Sequence, residues 1–336
     1  MTAVEMSALV VVACAAFDHD FPQVAERLAA MLAPHVADAH VHIGPDSEFP
    51  DGESYAELPH AVIGKKIVIC QSLSSAVGGS VNHSLMSLLT TIRGYREYGA
   101  AQITVFVPYL AYSRQDRQMP GQRRPTTAQL VAEMLAVAGV DRMIAINSGA
   151  SGRLGDLYSP VPLSFLETDT FFFQTLLDET EGDAVIVAPD RGARAQARRI
   201  AARLHLSIAY ADKHRIDAET VRVRLSDSDA LRGHRRAIIV DDLVCSAGSV
   251  EKVIEALRFA GVSSARIVAP HLRLTATGAA RLTELSAAGA LERVDGLDSA
   301  PTGVALEGVH RHPFLDFLGP ALVTELVTAL RAVMLA

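Results

Sequence analysis

The sequence predicts an α/β protein with mostly parallel sheets, divided into two similar domains. Three observations carry this. Short continuous apolar runs recur along the chain, each of strand length and bounded by turn residues. Segments with apolar residues three and four apart separate them, so strand and helix alternate in both halves. At 336 residues the chain has room for two cores.

In order, residues 8–16 read as a first strand centred on Leu9 to Ala13, and residues 22–32 as a helix carrying Val24, Leu28, Met31 and Leu32. Residues 39–43 form a second strand, and 48–55 a polar turn carrying Asp51 and Glu53 around a glycine. Strands follow at 67–71 and 103–108, with a helix at 84–99 between them. A helix at 127–138 and a strand at 143–146 lead into a Gly-rich irregular stretch, 147–158. The second half repeats the alternation: strands at 184–187, 208–211, 237–240 and 266–269, helices at 195–204, 250–260 and 277–287. Residues 313–336 are mostly helical and are expected to pack back on the first domain. The first domain is expected to span 1–157 with the helix 319–335 added, and the second 158–312.

Composition narrows the function classes. A hydrophobic content of 49%, 21% charged residues and a net charge of −7 describe a soluble globular protein without the basic surplus that a nucleic-acid backbone needs. Lys/Arg clusters therefore point to local work on small anions. Cys14, Cys70 and Cys245 are scattered, with neither metal-ligand spacing nor a disulfide framework, which fits a reducing cytoplasm. No apolar run approaches the roughly 20 residues of a membrane span, so no membrane partner is expected.

The chain is organised around Arg236 to Val250. An apolar strand ends in Asp241 and Asp242, then in small residues (Cys245, Ser246, Ala247, Gly248, Ser249), then in a helix. Small residues at such a turn leave backbone N–H groups free to wrap a phosphate, and the helix N-terminus adds positive potential. The carboxylates are placed to accept hydrogen bonds from sugar hydroxyls. A strand, Asp-Asp and a small-residue loop resemble the ribose-phosphate signature of type I phosphoribosyltransferases. In the first half, Arg114, Gln115, Asp116 and Arg117 follow the strand 103–108, where open α/β sheets bind ligands. The basic loop 119–125 is expected to face phosphate. His310 and His312 are expected in a solvated loop.

Further motifs make the resemblance specific. Phe49-Pro-Asp-Gly-Glu53, the stretch Pro108 to Arg117, Pro189-Asp-Arg-Gly192 and Asp212-Lys-His-Arg215 occur, with the Asp-Asp loop, in the order of the ribose-phosphate pyrophosphokinase family. The chain is identified as a member on residues 9–271. The resemblance implies two tandem phosphoribosyltransferase-type domains, the first binding nucleotide and the second ribose phosphate. It implies nucleotide contacts from Phe49, Asp51, Glu53, Arg114 and Gln115, and metal contact from Asp190. It further implies transition-state stabilisation by Lys213 and Arg215, and a sugar-phosphate site at Asp241, Asp242 and Cys245 to Ser249. The implied reaction moves pyrophosphate from ATP to the C1 hydroxyl of ribose 5-phosphate, with Mg²⁺, in a homo-oligomer (hexamer or dimer). Three departures stand out. The loop after Arg117 differs in composition from the family's, Gly149 occupies the place of the usual His, and Cys245 that of a loop acid. They leave open a catalytically weak regulatory subunit or an altered sugar-phosphate substrate. His83 and His214 lie nearest the predicted site as substitutes for the imidazole.

Overall fold

The computed structural model describes residues 8–36, 38–58, 62–74, 80–118, 121, 123–149, 151–177, 179, 184–215, 221–226, 231–304 and 306–332. The chain forms two compact units, residues 1–166 with 318–336, and residues 167–317. The boundary expected near Leu157 falls before the strand that closes the first sheet.

Unit 1 contains β1 (Leu9–Ala13), α1 (Ala15–Asp20), α2 (Val24–Leu32), β2 (Ala39–Ile43), β3 (Asp46–Glu48), β4 (Ser54–Ala56), β5 (Lys66–Cys70), α3 (Val81–Glu97), β6 (Gln102–Val107), α4 (Thr127–Ala138), β7 (Arg142–Ile146), α5 (Ser151–Leu157) and β8 (Leu163–Leu166). Its six-stranded sheet runs β2-β1-β5-β6-β7-β8 and is parallel throughout. Such a sheet is covered on both faces, which is why β1, β6 and β7 are almost continuous apolar runs with buried side chains. The chain order reverses between β1 and β5, so a crevice opens at their carboxyl ends. Burial there pushes the Cys70 thiol up to about 12 and the Cys14 thiol well above its usual value. Both sulfurs therefore act as packing atoms.

Unit 2 contains α6 (Asp169–Thr175), β9 (Ala184–Ala188), α7 (Arg194–Leu204), β10 (Ser207–Arg215), β11 (Val221–Ser226), β12 (Arg236–Val240), β13 (Leu243–Val244), α8 (Gly248–Phe259), β14 (Ser264–Leu272), α9 (Ala276–Ala287), β15 (Leu291–Leu297) and β16 (Val309–His312). α10 (Phe314–Ala332) begins in unit 2 and belongs to unit 1 from Leu318. The eight-stranded sheet runs β11-β10-β9-β12-β14-β15-β16, with β13 beside β14; only β10 and β11 pair antiparallel. Its order reverses between β9 and β12, which places a second crevice at their carboxyl ends.

The structure departs from the sequence reading where local signals were weak. Residues 48–55 are a hairpin rather than an isolated turn, and 147–158 contain α5. The strand read at 208–211 extends through Arg215 because β11 pairs with it. His310 and His312 lie in β16, not in a solvated loop. His312 Nε2 sits 3.0 Å from Asp295 Oδ1, its ring against Phe171 and Phe317. Asp295 is fully buried, and Arg266 and Arg293 also pair with it. Although desolvation pushes its carboxyl up, the hydrogen bonds from His312, Arg266 and Arg293 and the charge of Arg266 hold it below the usual value. No helix among the described residues is long and apolar enough to cross a membrane.

Asp298 follows β15 and accepts the Phe314 N–H at 2.8 Å, so it satisfies the first backbone donor of α10. Burial pushes its carboxyl up from 3.8 to about 6. Between those values the folded chain binds more protons than the unfolded one, so this group's stabilising contribution is lost as pH rises. Asp298→Asn keeps an oxygen acceptor without the charge. Its stability relative to wild type should therefore increase between pH 4 and pH 7, by no more than about 3 kcal/mol, as measured by urea unfolding. A difference independent of pH would refute the assignment.

Candidate functional site

The candidate groups of unit 2 gather at the carboxyl ends of β9 and β12. Asp190 follows β9, and its Oδ1 accepts the Gly192 N–H at 2.8 Å and the Ala193 N–H at 3.2 Å, which shapes the turn into α7. Asp241 follows β12, is buried, and accepts the Asp242 N–H at 2.9 Å. Burial raises the pKa of Asp241 well above the usual carboxylate value, and the charges of Asp242 and Asp190 raise it further. Burial also raises that of Asp242, with Asp190 adding to the effect. Three carboxylates thus meet at adjacent strand ends. The charge of Asp190 raises the cost of ionising both members of the pair, and that of Asp242 the cost of ionising Asp241.

The loop Cys245–Ser249 runs from β13 into α8. The first N–H groups of α8 have no partner in the helix ladder, as at any helix start. Ser246 and Ser249 are exposed, Cys245 and Gly248 half-buried, and Ala247 buried. Ala247 adopts φ +56°, the left-handed region, and serves as the N-cap residue without a side-chain cap. Behind the loop lies the start of α9. Thr275 donates its backbone N–H to the Cys245 carbonyl at 3.2 Å, while its hydroxyl accepts the Gly278 N–H at 3.1 Å. Arg281 donates to the Ser246 carbonyl at 2.8 Å and pairs with Glu251 at 3.1 Å. A Cβ on Gly278 would lie 2.1 Å from the Cys245 carbonyl oxygen, so only glycine lets α9 come this close.

The backbones of Lys213 and Arg215 lie in β10, opposite Val223 and Val221 of β11. Their side chains, and that of His214, lie outside the described part of the structure. Asp212, just before them, is held by Arg194 at 2.7 Å.

In unit 1 the β3–β4 hairpin carries Phe49, Asp51 and Glu53. Phe49 is 50% exposed, with its ring 4.4 Å from that of Tyr55. The Asp51 carboxylate accepts the Glu53 N–H at 3.4 Å across Gly52, whose φ is +93°. Asp46 anchors the hairpin: it accepts the Ala15 N–H at 2.7 Å, and the Ser87 hydroxyl also donates to it. His83 lies 3.3 Å from Glu48, so it is engaged with the hairpin's first strand.

After β6 the chain turns through Tyr112, at φ +63°, to Arg114, Gln115 and Asp116. Arg114 is exposed. The Gln115 side chain accepts the Thr127 hydroxyl at 2.6 Å, and its carbonyl accepts the Ala128 N–H at 3.3 Å, which ties the turn to the start of α4. Asp116 is buried and pairs with Arg153 of α5 at 2.6 Å. Arg153 adds a cation at this edge that the sequence reading did not include, because α5 was not recognised. In the basic loop, Met119, Pro120 and Gln122 lie outside the described residues, as does Ala150. Gly149 has φ +77° and donates its N–H to Asn147 Oδ1 at 2.9 Å. A histidine at that backbone conformation would be strained.

Known proteins share the sequence pattern of both units. A model for the N-terminal domain of ribose phosphate pyrophosphokinase matches residues 18–139, and one for the phosphoribosyl transferase domain matches residues 159–284. The ribose-phosphate pyrophosphokinase of Caldanaerobacter subterraneus is 32% identical over 264 residues, 78% of this chain and 79% of that one. That of Campylobacter jejuni is 31% identical over 277 residues, 82% and 84% of the two chains.

The chain belongs to the ribose-phosphate pyrophosphokinase family.

A solved phosphoribosylpyrophosphate synthetase from Mycobacterium smegmatis has the same fold, with a TM-score of 0.77 at 22% identity over 98% of this chain and 99% of its own. Both units are thus of the phosphoribosyltransferase-like class, in a family of transferases of nucleotide biosynthesis. Membership implies a divalent metal. Among the described residues no group of three or more His, Cys, Asp or Glu side chains is placed to hold one alone. The raised pKa values of Asp241 and Asp242, to which burial and the nearby Asp190 charge contribute, mark a place where positive charge is favourable. Their oxygens suit a hard cation whose coordination is completed by substrate oxygens and water.

Gly278→Ala should force α9 off the loop. The expected cost is about 1–3 kcal/mol, read by chemical denaturation, together with weaker ribose 5-phosphate binding. Unchanged binding and stability would show that the close approach is dispensable.

Proposed function

We propose that this protein transfers pyrophosphate from ATP to the C1 hydroxyl of ribose 5-phosphate, giving phosphoribosyl pyrophosphate and AMP. One observation carries the reading. Asp190 and the Asp241–Asp242 pair flank the point where the order of the second sheet reverses, and the pair is followed, after β13, by a small-residue loop at a helix start. Asp241 and Asp242 hold the ribose hydroxyls. The N–H groups and hydroxyls of Cys245 to Ser249 take the 5-phosphate, with Cys245 contributing its backbone where the family has an acid. In unit 1, Phe49, Asp51 and Glu53 of the hairpin, with Arg114 and Gln115 after β6, take the nucleotide.

The C1 oxygen attacks the β-phosphorus of ATP and its proton passes to solvent. The bond from that phosphorus to the oxygen shared with the α-phosphorus breaks, and AMP leaves carrying that oxygen. Negative charge on the transferring oxygens is met by Lys213 and Arg215, the two catalytic cations. The metal is assigned as Mg²⁺, with Asp190 at its site; when bound it neutralises phosphate charge. The division into a nucleotide-binding domain (1–157 with 319–335) and a ribose-phosphate domain (158–312) is part of the same proposal. So are a homo-oligomeric state (hexamer or dimer), a cytoplasmic location, and the absence of nucleic-acid and membrane partners.

The test is purified protein with ATP, Mg²⁺ and ribose 5-phosphate, with AMP followed over time. Steady AMP formation that requires the sugar is expected. AMP that appears only after a homologous subunit is added would instead indicate a regulatory subunit. Lys213→Ala should lower kcat by about 10²–10³-fold with an unchanged melting temperature. An unaltered kcat would remove that residue's role.

A further inference from the structure

One peptide of the sugar-phosphate loop is held in an orientation that its own residues disfavour. Ala247 has φ +56°, where its Cβ crowds the backbone. A half-turn of the peptide plane between Ser246 and Ala247 would bring φ back to the negative side. The carbonyl of this same peptide, Ser246 O, accepts a hydrogen bond from Arg281 at 2.8 Å. The next carbonyl back, Cys245 O, accepts the Thr275 N–H at 3.2 Å, so both carbonyls are engaged by residues at the start of α9 and in its body. No described peptide bond is cis. In a trans peptide the N–H is antiparallel to the C=O, so the Ala247 N–H is directed away from Arg281.

Arg281 is itself constrained. Its Nε pairs with Glu251 in the first turn of α8 at 3.1 Å. A Cβ on Gly248 would stand 3.1 Å from its terminal nitrogen, so that glycine leaves the guanidinium its room. A guanidinium serves here because its planar fork bonds a carbonyl and a carboxylate at once.

We propose that Arg281 is a positioning residue for ribose 5-phosphate: it latches the Ser246–Ala247 peptide so that the Ala247 N–H, and not the Ser246 carbonyl, is presented to the phosphate. Without the latch, the strain at Ala247 turns the peptide over. An acceptor then replaces a donor in front of an anion. The inference rests on the assignment of Cys245 to Ser249 as the sugar-phosphate loop.

The test compares Arg281→Met, Glu251→Gln and the double variant Arg281→Met/Ala247→Gly with wild type and with Ala247→Gly, all as full chains. The apparent KM for ribose 5-phosphate is measured at saturating ATP and Mg²⁺, and its Kd by titration calorimetry. Arg281→Met should raise KM and Kd about tenfold, of the order expected for one lost anion contact. The KM for ATP should stay unchanged, and kcat within about twofold. Glu251→Gln keeps the bond to the Ser246 carbonyl and should change KM less than about twofold. Glycine has no preference against positive φ. With Ala247→Gly already present, Arg281→Met should therefore raise KM less than about threefold. Neither loss of a distant charge nor general loosening of the fold would be suppressed by a glycine in the loop. If the Arg281→Met penalty is the same in both backgrounds, or absent in both, the latch is refuted. A wild-type protein that binds no ribose 5-phosphate refutes the functional reading itself; one that binds it with an unchanged Kd in Arg281→Met refutes only the latch.

Discussion

The burial of Asp241 and Asp242 beside the charge of Asp190 is the constraint to which the rest of unit 2 answers. Two parallel strands adjacent in the sheet, β9 and β12, end in acids, and their spacing brings the charges together. Asp241 is buried as well, so water cannot screen the repulsion fully. Such an arrangement is unfavourable in the free chain, and positive charge brought near it relieves the cost. The sheet supplies the rigidity. The apolar runs of β9 and β12 are fully buried, so the strand ends cannot spread to relieve the charges.

The remainder of that site is built by packing from behind. The loop Cys245–Ser249 has small side chains and little to hold it, yet its carbonyls are bound from one side by Thr275 and Arg281. Gly278 makes this possible by bringing α9 against the loop. Supporting contacts of this kind decide which backbone dipoles a ligand meets, and they sit on a helix because helices are stiffer than the loops they support.

Unit 1 uses the same logic with different parts. Asp46 joins the β3–β4 hairpin to α1 and α3, and so fixes the base of an element whose tip is exposed. Gln115 joins the turn after β6 to α4, and Arg153 joins it to α5 through Asp116. Gly149, a departure from the family pattern, stands at a positive φ where glycine is the least strained choice. Its loop therefore follows a path suited to glycine, and Arg153 of the helix that follows pairs with Asp116.

Much of this was legible in the residues. Continuous apolar runs announce the buried parallel strands, and the helix at 127–138 has the same bounds in sequence and structure, because Pro125 precedes it, helix-forming residues fill it and Gly139 ends it in the left-handed conformation. Edge elements were missed: β8, β11 and β16 are short or mixed in polarity, and they are strands only because a neighbour pairs with them. Two ionic partners of Asp295, Arg266 of β14 and His312 of β16, were equally hidden, since they come from neighbouring strands.

The sequence by itself determined the alternation of elements, the family, and the order of the acidic and basic motifs, because strand burial and turn chemistry are local properties. Tertiary structure alone decided which acids repel one another, which glycine admits a helix, and which arginine meets the Ser246 carbonyl from 35 residues away. Those outcomes depend on distances between segments remote in the chain, and only packing sets them.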